Sequence, residues 1–173
     1  MSKLCLKYNV PSHYRKAIYK MIDSQYDCDW YFGHAEAGIK EMDTSELKNV
    51  KRYRVIGNTS KAFWNVGLLK LLFKKKYQTY FMIFESHCLS DWVFFWLAFH
   101  FFKKKKFYTW GHGWYGKESN IEAKMKRWVF NGLTGLFVYG DRAKELLIKE
   151  GIPAEKIFPD SQLPRLRQAA GIA

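Results

Sequence analysis

The stretch Trp110-Gly111-His112-Gly113-Trp114-Tyr115-Gly116-Lys117 sets a histidine between two glycines. Glycine lets the backbone approach a ligand closely, and a histidine placed there can donate to a phosphate or a sugar hydroxyl, or move a proton near neutral pH. The plainer alternative is a histidine that only satisfies loop carbonyls. The stretch lacks the Gly-Lys-Ser/Thr of a P-loop, and it is not the dinucleotide fingerprint. A second cluster, Pro11-Ser12-His13-Tyr14-Arg15, opens a helix. Free amides and the helix dipole attract anions at such a start, and Arg15 would add a two-pronged contact to phosphate. An ordinary serine cap beside a solvated arginine would have the same sequence. Glu85-Ser86-His87 offers a carboxylate and an imidazole, although a glutamate after an apolar strand is as often a cap for the next helix. Cys88 beside them reads as a buried small residue, because nothing around it in the sequence would lower its pKa.

These residues need elements to hold them. Lys3 to Asn9 reads as a strand, and Val10-Pro11-Ser12 as a turn, with Ser12 capping a helix through Ile22. Cys28 to Gly33 and Lys51 to Ile56 read as strands. Trp64 to Lys75 places Val66, Leu69, Leu72 and Phe73 at helical spacing, which predicts a helix. Tyr77 to Phe84 predicts an apolar strand, Leu89 to Phe102 an apolar helix, and Phe107 to Trp110 a strand running into Gly111. Ser119 or Asn120 can cap a helix through Phe130, Gly135 to Tyr139 reads as a strand, and Asp141 caps a last helix that stops at Gly151 with Pro153 beyond. Strands alternating with helices, the strands apolar throughout, imply an α/β fold: a doubly wound, mainly parallel sheet of at least six strands with helices on both faces. Ligands bind such sheets beyond the carboxyl ends of the strands. That edge would hold residues 11–15, 85–87, 111–114 and 140–142, while the lysine runs 74–76 and 103–106 would lie on the other.

Composition narrows the partners. The chain has 173 residues, 29 Lys and Arg against 16 Asp and Glu, a formal charge of +13 and 18% aromatic residues. So many aromatics exclude a disordered chain, and the length suits one domain with a sizeable core. Three cysteines without CxxC spacing suggest neither a disulfide framework nor a zinc site, so no metal is expected and a reducing cytoplasm is the default. Met1 to Asn9 has no secretory apolar core, and the run Trp92 to Phe102 is too short to span a bilayer. The positive charge calls for an anionic partner: nucleic acid, anionic lipid or a phosphate-bearing substrate. Nucleic acid is set aside, because Leu136-Phe137-Val138-Tyr139 lacks the partner strand of an RNA-binding sheet. Lys103, Lys104, Lys105 and Lys106 follow an aromatic helix, which suits either adsorption to an anionic membrane surface or a solvated helix end.

In order and spacing, Pro11 to Tyr19, Trp110 to Gly113, Leu136 to Leu146 and Gly151 to Ile157 resemble the N-terminal, acceptor-side domain of a GT-B fold glycosyltransferase of the bacterial family 4 type. The resemblance covers the chain to about Phe158 and implies a Rossmann-like domain over residues 1–158. It also implies transfer of a sugar from a nucleotide-sugar donor to a saccharide or lipid-linked acceptor, as in polysaccharide biosynthesis. His112 then matches the catalytic histidine near the donor sugar. The acceptor side would be formed by Pro11, Ser12, His13, Tyr14, Arg15, Glu85, His87, Gly111, Gly113 and Trp114. No cofactor is implied, since the donor is a substrate bound mainly by a second domain. That domain, with its two glutamates separated by seven residues, has no counterpart here, and residues 159–173 read as an irregular tail. The sequence thus suggests a truncated enzyme, inactive alone, that would work with a separate donor-binding domain in the cytoplasm or peripherally at the inner membrane face. A non-catalytic module binding anionic glycolipid or a partner protein is the alternative.

Overall fold

The computed structural model describes residues 3–33, 38–111, 113–114 and 120–159. The chain divides between Lys105 and Lys106 into two compact units. The first contains β1 (Lys3–Tyr8), α1 (Lys16–Gln25), β2 (Cys28–Phe32), β3 (Val50–Arg52), β4 (Arg54–Asn58), β5 (Ala62–Val66), β6 (Tyr77–Met82) and α2 (Leu89–Phe101). Four of its strands run parallel in the order β3-β2-β1-β6, with Leu6 opposite Trp30 on one side and Phe81 on the other. All of β2 is buried, and the Trp30 and Phe32 rings stack with centroids 5.9 Å apart. The second unit contains β7 (Lys106–Gly111), α3 (Asn120–Gly132), β8 (Gly135–Val138), α4 (Gly140–Lys149) and β9 (Ile157–Pro159), its strands parallel in the order β7-β8-β9. Parallel strands flanked by helices make this an α/β, Rossmann-like architecture, as the alternating sequence implies.

Several elements differ from the sequence expectation. Residues 64–75 do not form a helix: β5 occupies 62–66, and a single 3-10 turn covers Leu69–Leu71. Phe63 and Asn65 are buried while Ala62 and Val66 are exposed, so period-two burial governs here, and Gly67 at φ +92° ends the strand. The expected strand 51–56 breaks at Tyr53, whose amide bonds the Phe32 carbonyl at 2.8 Å, so that β3 joins the parallel sheet and β4 pairs antiparallel with β5. Ser12 precedes a 3-10 turn over His13–Arg15 and makes no side-chain cap; α1 starts at Lys16. Tyr139 occupies the N-cap of α4, and Asp141 lies in its first turn, where the dipole favours a carboxylate. β9 was not expected from the sequence; its Phe158 ring stacks on Phe137 at 5.2 Å.

The amino ends of β1 and β6 are joined to β2 by charge. Asp29 is buried and receives Lys76 at 2.5 Å, Lys3 at 3.3 Å and the Tyr77 hydroxyl. Burial alone would raise its carboxyl; Lys76, Tyr77 and Lys3 outweigh that and hold it down at about 2. The folded value lies below the ordinary one, so the stabilisation is present above about pH 4 and lost as pH falls toward about 2. Asp29→Asn is expected to lower stability by about 2 kcal/mol at neutral pH and to flatten the acid limb of a urea-midpoint against pH profile. An unchanged acid limb would contradict this.

Candidate functional site

The chain steps from β1 to β2 and β3 on one side, then returns to β6 on the other side of β1. A reversal of strand order opens a crevice at the carboxyl ends of the two strands involved, the usual ligand position in open parallel sheets. The segment leaving β1 contains residues 11–15, and the segment leaving β6 contains Glu85 and His87, so both clusters follow the carboxyl ends of adjacent parallel strands.

The first cluster is clamped by residues 40–42. The His13 amide bonds the Lys40 carbonyl at 2.8 Å, the Met42 amide bonds the Pro11 carbonyl at 2.8 Å, and Ser12 bridges Glu41 in antiparallel fashion. Pro11, Ser12 and Arg15 are buried, whereas His13 and Tyr14 are exposed, Tyr14 by 66%. The Arg15 guanidinium faces the Tyr14 ring at 5.1 Å and the Tyr8 ring at 5.9 Å, distances at which a cation is attracted to the π face. Arg15 is therefore not the solvated arginine of a plain helix start. Burial pushes the Tyr19 phenol up, against the pull of Ser12 and Arg15 beside it. An exposed tyrosine ring backed by a cation, beside an exposed imidazole, is suited to stacking on a sugar face and donating to its hydroxyls.

Glu85 is not paired with His87. Its Oε2 accepts from Lys7 Nζ at 3.0 Å, and the same ammonium donates to Asp91 Oδ2 at 2.8 Å and to the Ile83 carbonyl at 3.3 Å. Lys7 and Asp91 are wholly buried, while the Glu85 side chain keeps 16% exposure. Burial works against the Lys7 charge, but Asp91 and Glu85 outweigh it and hold the ammonium above its ordinary value. Asp91 is pushed up, by burial first and by Glu85 as well, against the pull of Lys7. Asp91 Oδ2 also accepts the Glu85 amide at 3.2 Å, so one buried ion pair fixes the backbone where β6 leaves the sheet. Sequence reasoning missed both partners. The available signals were Lys7 inside an apolar strand and Asp91 in the first turn of an apolar helix. His87 is exposed. Cys88 is buried within 3.1 Å of the Ser90 hydroxyl, and burial pushes its thiol up to about 12, which suits packing and not nucleophilic attack.

In the second unit, Gly111 ends β7 and Gly113 has φ +72°, and a Cβ on Gly113 would meet Leu147 at 3.2 Å and Val138 at 3.3 Å. The positive φ favours glycine there, and a Cβ would also press on those two side chains. Trp114 is buried, with its ring edge-on to Phe130. His112 lies outside the described residues, as do 160–173 of the tail. Among the lysines expected at a membrane, Lys103 and Lys104 are exposed and Lys106 starts β7. Lys105 turns inward, donating to the Leu72 carbonyl at 2.7 Å and the Tyr80 hydroxyl at 3.1 Å. Among the described residues no His, Cys, Asp or Glu group is arranged to hold a metal ion, and no helix is long and apolar enough to cross a membrane.

No protein-family model matches the sequence, and no curated protein matches it. Solved structures do. A UDP-GlcNAc 2-epimerase from Methanocaldococcus jannaschii superposes with a TM-score of 0.57 at 16% identity, over 100% of this chain and 50% of that one. The enzyme from Rickettsia bellii gives 0.59 at 13% identity, over 95% of this chain and 48% of that one. The enzyme from Neisseria meningitidis bound to UDP-GlcNAc gives 0.56 at 12% identity, over 92% and 45%. The chain spans about half the length of these structures. Its fold is that of one Rossmann-like half of a GT-B-like architecture.

Proposed function

We propose that the chain is the acceptor-binding half of a family 4 type glycosyltransferase, which takes a sugar from a nucleotide-sugar donor and places it on a saccharide or lipid-linked hydroxyl. The observation that carries the reading is the match of the whole chain to half of a nucleotide-sugar enzyme. The crevice chemistry supports it: Tyr14 offers a stacking face, and His13, His87 and Glu85 offer donors and an acceptor for hydroxyls. Transfer requires donor and acceptor held at reacting distance, with charge on the leaving phosphate stabilised, and one half of a two-domain enzyme supplies one wall of that cleft. The donor is then held by a second domain, in the same or a separate chain.

The test is a transfer assay with radiolabelled nucleotide sugars, run on the 173-residue chain alone and on the chain joined to a GT-B donor-binding domain. Glycosylated acceptor is expected from the joined protein only. Robust transfer by the chain alone would refute the half-enzyme reading. A nucleotide sugar returned with inverted stereochemistry at carbon 2, and no glycosylated acceptor, would assign the chain to epimerisation.

A further inference from the structure

The outer side of α2 is apolar where a surface helix is ordinarily polar. Leu89, Val93, Trp96 and His100 recur at the spacing of one helical face, and all are exposed, Trp96 by 48%; Phe101 beside them is 68% exposed. The opposite face, with Ser90, Asp91, Phe94, Phe95 and Ala98, is buried. The carboxyl end of α2 meets the 3-10 segment: the Phe73 ring stands edge-on to Phe102 at 5.3 Å, and Lys105 ties the two through the carbonyls of Leu72 and Lys74. Exposed Lys70, Phe73, Lys74, Lys75, Lys103 and Lys104 come from these two joined segments.

Charge selects the occupant. Between residues 67 and 106 the sequence has eight lysines and two acidic residues, Glu85 and Asp91, and both of those are held by Lys7. The lysines around the aromatic face therefore have no acidic neighbour in their own segments. Two copies meeting through this face across a two-fold axis would bring like charges together, whereas an anionic lipid surface accepts aromatic side chains into its interface and ammonium groups at its headgroups. We infer that the exposed aromatic face of α2, with Lys70, Lys74, Lys75, Lys103 and Lys104, docks the protein on an anionic membrane surface. The inference is independent of what the β1/β6 crevice binds.

Co-sedimentation with vesicles of phosphatidylcholine alone, and with about 30 mol% phosphatidylglycerol added, tests it on the full chain. Binding to the anionic vesicles is expected to exceed binding to the neutral ones and to weaken as salt rises from about 0.1 to about 0.5 M. Lys103→Gln/Lys104→Gln should lower the anionic partition constant about 25-fold, at about fivefold per lysine. Trp96→Ser/Phe101→Ser should lower it roughly tenfold, and circular dichroism should show both variants folded, since the four side chains are exposed. Equal binding to both vesicle types, or a Trp96→Ser/Phe101→Ser variant that binds like the parent, would overturn the inference. Absence of vesicle binding together with a dimer that the same aromatic variant dissolves, read by analytical ultracentrifugation, would overturn it in favour of a second copy.

Discussion

Methionine in place of Lys7 is expected to destabilise the chain by about 3–5 kcal/mol at neutral pH, the range for breaking a buried ion pair from one side. The reason is local. Lys7 Nζ is the cation shared by Asp91, wholly buried, and Glu85, nearly so, and removing it leaves Asp91 charged without a counterion in the core. Asp91 already lies above its ordinary value because of burial, and the loss of Lys7 removes the main pull in the other direction. A carboxyl raised in the folded state contributes less stability as pH rises, so the deficit of the variant should shrink as pH falls from neutrality. Lys7→Met/Asp91→Leu should recover most of the loss, since it removes both deeply buried charges and fills their volume. Urea denaturation across pH checks all three outcomes. A Lys7→Met protein with the parent's midpoint would show that the ion pair does not hold the β6 exit.

The second large effect concerns turnover. In the chain joined to a donor-binding domain, His112→Ala is expected to lower kcat about 100-fold or more, with a smaller change in KM. Gly111 closes β7, and Gly113 holds φ +72° with the Leu147 and Val138 side chains close to where a Cβ would stand, so glycines flank position 112 on both sides. A histidine that donates to the sugar or the leaving phosphate acts most strongly when charge develops there. Matching loss in kcat and kcat/KM would place its contact in the transition state, and unaltered kcat in His112→Ala would remove it from the chemistry.

How far the sequence led is clearest from single elements. The apolar strands and the helices after β1, β6, β7 and β8 were legible, because continuous burial and helical periodicity are strong local signals. The hairpin of β4 and β5 was not: Val66, Leu69, Leu72 and Phe73 imitate a helix face, while the alternation of Phe63 and Asn65 decides the outcome only once Asn65 finds the Ser90 hydroxyl, 3.0 Å from its amide. β9 stayed hidden because its three residues owe their conformation to pairing with β8, a contact made across intervening chain. At the crevice, the loop after β1 could be named from its residue types, yet Arg15 acts under Tyr14 and not as a solvated charge. The ion pair of Lys7 with Asp91 joins residues 84 positions apart, beyond the reach of any local pattern. Lys105 shows the same limit in reverse, since one member of a lysine run turned inward to carbonyls that a linear reading could not place beside it.

Titration of the isotopically labelled 173-residue chain by NMR, with octyl glycosides of hexoses and N-acetylhexosamines in one series and UDP-, GDP- and dTDP-sugars in the other, tests the acceptor-half assignment most directly. The glycosides are expected to shift the amides of His13, Tyr14, Arg15, Glu85 and His87, and the nucleotide sugars to leave those amides in place without saturable binding. Saturable binding of a nucleotide sugar by the chain alone, with no response of those amides to any glycoside, would contradict the assignment.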